Sequence, residues 1–205
     1  MKTHTVSTYS FAELSPKAQA RALEDHSRLC GEFWESDCTI DDAKQCLAFA
    51  GFTIEKVYFS GFWSQGDGAC FVGRWVARHV DAAKMRQHAP QDAFLHAIAD
   101  NLEKWAADYP QASFRVKHSG RYSHEFCTEF AVDLYGDAEP SEEQRTHADD
   151  AEKGMIEEAR DAMRWIYRQL QADYEFVTAE PQVRESIEAN ECEFNADGSR
   201  YRSPL

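Results

Sequence analysis

The sequence is short of positive charge, and it has no long apolar run. Its 205 residues include 22 Lys and Arg against 36 Asp and Glu, which gives a formal net charge of −14. Proteins that bind nucleic acid directly neutralise phosphates with Lys and Arg, and anionic membrane surfaces attract the same residues. No segment approaches the roughly 18 consecutive apolar residues of a transmembrane helix. The composition therefore argues against direct nucleic-acid binding and against membrane association.

Familiar catalytic and metal-binding motifs are also absent from the sequence. The six cysteines form no Cys-x-x-Cys pair, which argues against a structural zinc site of the usual kind. No export signal is recognisable, so we expect free thiols in a reducing cytosol. Neither a nucleophile elbow of the Gly-x-Ser-x-Gly type nor a phosphate-binding loop occurs. We therefore expect no metal and no cofactor, and the sequence leans away from an enzyme.

The chain does have enough apolar mass for a folded core, with 43% hydrophobic and 13% aromatic residues. Its length suits one domain, and no Gly- or Ser-rich linker interrupts it. Apolar residues spaced three and four apart predict several helices. The predicted helices are Lys17–Arg28, Thr39–Ala50, Pro90–Asp108, a run from Ser141 to Leu170, and Glu180–Ala189. We predict a single α+β domain over residues 1–205.

Two pairs of β-favouring segments predict two hairpins. The first pair is Thr53–Ser60 and Ala69–Val76, with Asp67-Gly68 in the turn because Gly tolerates positive φ. The second pair is Ser113–His118 and Glu125–Tyr135, in which apolar and polar residues alternate. Because consecutive hairpins usually pair with each other, we predict an antiparallel sheet of about four strands packed by several helices.

The two hairpins share a sequence pattern. Val57–Ser64 and Val116–Ser123 both read Val-x-x-Ser-Gly-x-aromatic-Ser, and a helix is predicted before each copy. The first copy ends in a polar turn with two adjacent aromatic residues, which are enriched at protein interfaces. Burial in the core is the commoner fate of such residues, and both interpretations stay open. The candidate partner-binding residues here are Phe62, Trp63, Gln65 and Asp67.

Negative charge is concentrated in the C-terminal part. From Glu139 to Asp197 there are 17 acidic and 6 basic residues, which accounts for 11 of the 14 net negative charges. We predict a long acidic helix in this part, from about residue 139. Its charge forms either a solvated face or a surface that attracts a basic partner. The candidate residues are Asp149, Asp150, Glu152, Glu157 and Glu158.

Three segments stand out as a set: Thr8–Ser15, the hairpin motif YFSGFWSQGDGACF at Tyr58–Phe71, and the ending Ile187–Gly198. Together they resemble a family of small phage and prophage accessory proteins, some of whose members are labelled antitoxin-like. The resemblance implies a phage protein acting in the cytoplasm of a bacterial host, and it transfers no catalytic residues. By analogy, such proteins often counter host defence.

These features lead to one main hypothesis and two alternatives. The main hypothesis is a phage-encoded, non-enzymatic protein that inhibits or modulates a host defence or nucleic-acid-binding complex with a basic surface. One alternative is an antitoxin-like neutraliser of a toxin. The other is a small hydrolase or metal-dependent enzyme that uses His118, His124 and Cys127, which could approach one another across the second hairpin. Either a monomer or a dimer is compatible with the sequence.

Overall fold

The structure is a computed structural model that describes residues 6–202 of the 205. The chain divides into two compact units. The larger unit is Ser36–Gln171, and the smaller unit combines the described residues up to Glu35 with those from Ala172 onward. Each unit has its own buried apolar residues.

A four-stranded antiparallel sheet lies in the larger unit. Its strands are β1 (Ala50–Phe59), β2 (Ala69–Val80), β3 (Ser113–His118) and β4 (Thr128–Asp133), and their spatial order follows the chain. The pairs β1/β2 and β3/β4 are the two predicted hairpins, and β2 pairs with β3 between them. The predicted α+β class and the four-stranded antiparallel sheet are confirmed.

Seven α-helices occur within residues 6–202. They are α1 (Pro16–Glu32), α2 (Asp37–Phe49), α3 (Ala82–His88), α4 (Ala93–Asp108), α5 (Glu142–Thr146), α6 (Ala148–Thr178) and α7 (Glu180–Ala189). The run predicted from Ser141 is therefore two helices, α5 and α6. Helix α3 was not predicted, although Asp81 caps it by accepting a hydrogen bond from Lys84 N at 3.0 Å. No helix in this part of the chain is long and apolar enough to cross a membrane.

The inner face of the sheet is aromatic. Phe71, Trp75 and Phe114 are buried, and Trp75 stacks on Phe114 with ring centroids 5.2 Å apart. Trp75 Nε1 donates a hydrogen bond to Ala50 O at 2.8 Å, so this buried polar atom is paired. Helices α4 and α6 add further buried residues: Leu95, Ile98, Leu102, Met155, Met163 and Ile166.

Two glycines allow β1 and β2 to approach each other closely. Gly51 has φ +90°, and a Cβ there would lie 2.9 Å from Val76 O. A Cβ at Gly73 would overlap Thr53 O on the paired strand. Since both neighbours are backbone atoms, a larger side chain at either position would push the strands apart.

Some strand ends differ from the prediction. Strand β1 begins at Ala50 rather than Thr53, and β4 begins at Thr128 rather than Glu125. Residues 119–127 form a loop instead, in which Cys127 N donates a hydrogen bond to His124 O at 2.8 Å. Phe126 therefore lies outside the buried face that the alternating pattern predicted, and it is exposed.

The smaller unit has two capped helix starts near its N-terminal end. Ser10 N donates a hydrogen bond to Glu13 Oε2 at 2.8 Å, and Ala18 N donates one to Ser15 Oγ at 3.4 Å. Helix α7 has the bounds that the sequence predicts. The core of this unit consists of Phe11, Leu14, Ala18, Ala22, Val183, Ile187, Cys192 and Phe194.

Candidate functional site

Two loops of the larger unit carry exposed aromatic side chains. Loop A (residues 60–68) joins β1 to β2, and loop B (residues 119–127) joins β3 to β4. Trp63 in loop A is 70% exposed, while Tyr122 and Phe126 in loop B are 57% and 62% exposed. We call these three side chains the aromatic loop surface.

The two loops touch each other at one end of the sheet. Both connect the strands of a hairpin, and the antiparallel order β1-β2-β3-β4 places them at the same end. A Cβ built at Gly68 would lie 2.9 Å from His124 Cδ2, and one built at Gly66 would lie 3.9 Å from Tyr122 Cδ1. Glycine at position 68 therefore permits the close approach of loop A to loop B.

Asp67 holds loop A in one conformation. Its Oδ2 accepts hydrogen bonds from Trp63 N at 3.0 Å and from Ser64 N at 2.6 Å, and its own N donates to Ser64 O at 3.1 Å. Such side-chain-to-backbone bonds stabilise tight turns. The carboxylate of Asp67 therefore supports the loop from within.

Phe62 anchors loop A to α6. Its half-buried ring lies 5.6 Å from that of Tyr167 and 6.4 Å from that of Phe59, measured between centroids. Tyr167 OH donates a hydrogen bond to Gly61 O at 3.0 Å. Burial, together with the nearby Asp67 carboxylate, raises the pKa of Tyr167. The hydroxyl therefore keeps the proton that this hydrogen bond needs at neutral pH.

Charged residues support Phe126 in loop B. The buried carboxylate of Glu125 accepts a hydrogen bond from Arg164 Nε at 3.0 Å and lies 3.0 Å from His124 Nδ1. The ring of Phe126 stacks on His124 at 5.4 Å, and the Arg160 guanidinium lies 5.0 Å from its centroid. Phe126 is thus exposed but held in place by a ring and a cation.

The predicted loop A residues divide into two roles. Trp63 and Gln65 are exposed, whereas Phe62 and Asp67 fix the loop. Sequence reasoning did not identify Tyr122 as a site residue, although it occupies the position of Trp63 in the repeated pattern Val-x-x-Ser-Gly-x-aromatic-Ser. The repeat was the signal that could have found it.

The residues of the enzyme or metal alternative have other partners. His118 Nε2 forms a hydrogen bond with Tyr122 O at 3.0 Å, and His124 is paired with Glu125. In the part of the chain that the structure describes, His118, His124 and Cys127 do not come together as a set of three metal ligands.

A different set of metal-ligating side chains does come together in the larger unit. The ligand atoms of Asp42, Cys46 and His88 all lie within 4.8 Å of one another. Asp42 and Cys46 are four residues apart in the predicted helix, so the sequence already placed these two ligand types on the same helix face. His88 lies on α3, which the sequence did not predict, and the cluster was missed for that reason.

The five predicted acidic residues differ in their pairing and in their burial. Glu157 Oε1 accepts a hydrogen bond from Arg164 Nη1 at 2.8 Å, which lowers the pKa of Glu157. Glu158 is half-buried, and burial raises its pKa to about 7. Four of the five predicted residues are exposed: Asp149, Asp150, Glu152 and Glu157.

Comparisons with known proteins give one match. A search of curated proteins and a search of solved structures each find nothing similar to this chain. A family model matches residues 34–180, which include the whole larger unit and therefore both loops. Since the match covers well over half of the 205 residues, the chain belongs to the family described as a domain of unknown function, DUF8835.

Proposed function

We propose that this chain is a non-catalytic binding protein that inhibits or modulates a partner protein through the aromatic loop surface. The observation that carries the proposal is the placement of Trp63, Tyr122 and Phe126, all largely exposed, on two loops in contact. Trp, Tyr and Arg dominate the energetically important contacts of protein interfaces. Exposed apolar patches on folded domains mark interaction sites for the same reason.

The fixed conformation of the two loops also favours binding. Asp67 fixes the backbone at Trp63 and Ser64, and Phe126 rests between His124 and Arg160. Ordering a flexible loop on association costs free energy, so a loop that is already ordered binds more tightly for the same contacts. Aromatic side chains add contact area at low entropic cost because they have only two χ angles.

Charge gives the partner a direction of approach. Asp149, Asp150 and Glu152 are exposed, and a negative surface accelerates encounter with a partner that presents a basic surface. In this proposal the acidic residues steer, and the aromatic loop surface supplies most of the affinity.

The resemblance to phage accessory proteins makes a host protein the expected partner. A host defence or nucleic-acid-binding complex has the basic surface that the charge argument requires. An antitoxin-like role would use the same loops on a toxin instead. The identity of the captured partner separates the two, because a toxin would be harmful when produced alone and harmless when produced with this chain.

The test is affinity capture from host lysate with matched alanine variants. Trp63→Ala and Tyr122→Ala each remove one exposed aromatic ring from the aromatic loop surface. Phe33→Ala is the matched control, because Phe33 is 75% exposed and lies in the smaller unit. We expect each loop variant to weaken the affinity for the captured partner by about 30-fold, since truncating an interface hot spot costs about 2 kcal/mol or more.

The control fixes the interpretation of this experiment. Phe33→Ala should bind like the unmodified protein. Equal affinity of all three variants would contradict the proposal. A different result would assign the interface to the acidic residues: the triple variant Asp149→Asn, Asp150→Asn, Glu152→Gln loses binding, and Trp63→Ala binds like the unmodified protein.

A further inference from the structure

Helices α2 and α3 bring three side chains of different chemistry together. The carboxylate of Asp42, the thiol of Cys46 and the imidazole of His88 have their ligand atoms within 4.8 Å of one another. His88 Nε2 lies 3.8 Å from Asp42 Oδ1. Asp42 and His88 are exposed and Cys46 is buried, so the cluster has one inner and two outer members.

Local structure explains how the three side chains meet. Asp42 and Cys46 are four residues apart on α2, so they lie one above the other on the same helix face. Asp81 N donates a hydrogen bond to Phe49 O at 2.7 Å and thereby joins the start of α3 to the end of α2. The His88 ring then packs against Phe49, with centroids 5.4 Å apart.

We propose that Asp42, Cys46 and His88 bind one zinc ion. Zinc accepts carboxylate, thiolate and imidazole ligands at about 2.0–2.3 Å, which places the ligand atoms of a tetrahedral site about 3.3–3.8 Å apart. An oxygen and a nitrogen ligand would be about 3.3–3.6 Å apart, so the 3.8 Å between Asp42 Oδ1 and His88 Nε2 requires a small movement of these exposed side chains. Three protein ligands leave a fourth position for water. A thiolate ligand disfavours Mg²⁺ and Ca²⁺, which prefer oxygen.

A cation bound here would balance the carboxylate of Asp42, which belongs to the cluster. When zinc binds, the sulfur–hydrogen bond of Cys46 breaks, the zinc–sulfur bond forms, and one proton leaves to the buffer. Within residues 6–202, His88 is the one basic residue paired with Asp42.

The test uses the full-length, reduced, metal-stripped protein and Co²⁺ as a spectroscopic probe. Bound Co²⁺ should give a near-ultraviolet charge-transfer band that reports a thiolate ligand, and Zn²⁺ should abolish the band by displacing Co²⁺. We expect Cys46→Ala to lose the band, and Asp42→Asn and His88→Gln to weaken Co²⁺ affinity by at least about tenfold. Cys38→Ala and His79→Gln, which change an exposed thiol and an exposed imidazole elsewhere in the larger unit, should leave the titration unchanged.

Two outcomes would overturn the proposal: no charge-transfer band with excess Co²⁺, or a band that persists in Cys46→Ala. Loss of the band in Cys38→Ala would assign binding to a different thiol and would also contradict it. If Cys46→Ala fails to fold, the surface variant His88→Gln decides the question through a second measurement. Zn²⁺ should raise the melting temperature of the unmodified protein by mass action and should not raise that of His88→Gln.

Discussion

Glu158 lies half-buried on α6, and its Oε1 accepts a hydrogen bond from Asn101 Nδ2 at 2.9 Å. Burial raises the pKa of this carboxyl from 4.5 to about 7, and the neighbouring Asp161 and Glu157 act in the same direction, while the Asn101 bond opposes the shift. In the unfolded chain the carboxyl is hydrated and titrates near its ordinary value. The folded protein therefore holds a proton, between about pH 4.5 and pH 7, that the unfolded chain has released.

This proton makes the stability contribution of Glu158 depend on pH. Because the folded-state pKa is raised, the contribution is fully present below about pH 4.5 and is lost as the pH rises through about 7. Glu158→Gln keeps an oxygen acceptor for Asn101 and cannot ionise. We expect the variant and the unmodified protein to be equally stable at acidic pH. At pH 8 the variant should be more stable by about 1 kcal/mol, well below full conversion of the pKa shift because the carboxyl is partly solvated.

Urea unfolding at several pH values measures this difference. Glu152→Gln is the matched control, since it removes one negative charge from an exposed position on the same helix. A pH-dependent difference of similar size in Glu152→Gln would attribute the effect to net charge rather than to burial, and would refute the prediction.

At the scale of elements, loop A depends on one side chain for its conformation. The Asp67 carboxylate accepts the backbone N–H groups of Trp63 and Ser64 at 3.0 and 2.6 Å. Asp67→Ala leaves both amides without this acceptor, so we expect loop A to open and the amides of Trp63 and Ser64 to exchange hydrogen faster by at least about tenfold. Hydrogen exchange followed by NMR or mass spectrometry measures this change.

Asp67→Asn is the control for loop A, because its one amide oxygen can take the place of Oδ2, which accepts both hydrogen bonds, but carries no negative charge. It should show exchange rates between those of the unmodified protein and of Asp67→Ala. Unchanged exchange in Asp67→Ala would mean that the anchoring of Phe62 against Tyr167 alone orders the loop, and that Asp67 has no supporting role.

The elements themselves were largely readable from the sequence, because their signals are local. The helix predicted over Glu180–Ala189, with Pro181 in its first turn, has the bounds of α7, and β-favouring runs located both hairpins. Helix α3 was not predicted because it is short and has no apolar periodicity of its own. It is stabilised by packing against α2 and α4 after its cap, Asp81. The exposure of Phe126 was not predicted because the alternation of apolar and polar residues does not show where a strand begins.

The candidate site was readable only in part. Trp63 and the repeat that matches it to Tyr122 are visible in the sequence. The contact between loop A and loop B is not, since it depends on the antiparallel order of four strands and on the missing side chain at Gly68. The ligand cluster of Asp42, Cys46 and His88 also needs the packing of two helices.

For the whole molecule, the net charge of −14 does not by itself locate a partner-binding surface. Of the five acidic candidates on α6, Glu157 bonds to Arg164 and Glu158 faces Asn101. Internal ion pairs and burial thus remove part of the charge from any partner. The three side chains of the aromatic loop surface stay largely exposed, although Phe126 also contacts His124 and Arg160.

This contrast predicts how binding responds to salt. The screening length falls from about 10 Å at 0.1 M to about 3 Å at 1 M ionic strength, which weakens attraction between exposed charges but not apolar burial. If the aromatic loop surface supplies most of the affinity, the Kd for the captured partner should change by less than about threefold over this range. The penalty of Trp63→Ala should be the same at both salt concentrations, while the association rate falls at high salt because steering is lost. Biosensor kinetics measure the Kd, the penalty of Trp63→Ala and the association rate.

The contrary result has two parts: the Kd rises by more than about tenfold over this salt range, and it becomes independent of salt in the variant lacking the charges of Asp149, Asp150 and Glu152. Such a result would place the affinity in the acidic residues, because only interactions between exposed charges are screened by salt.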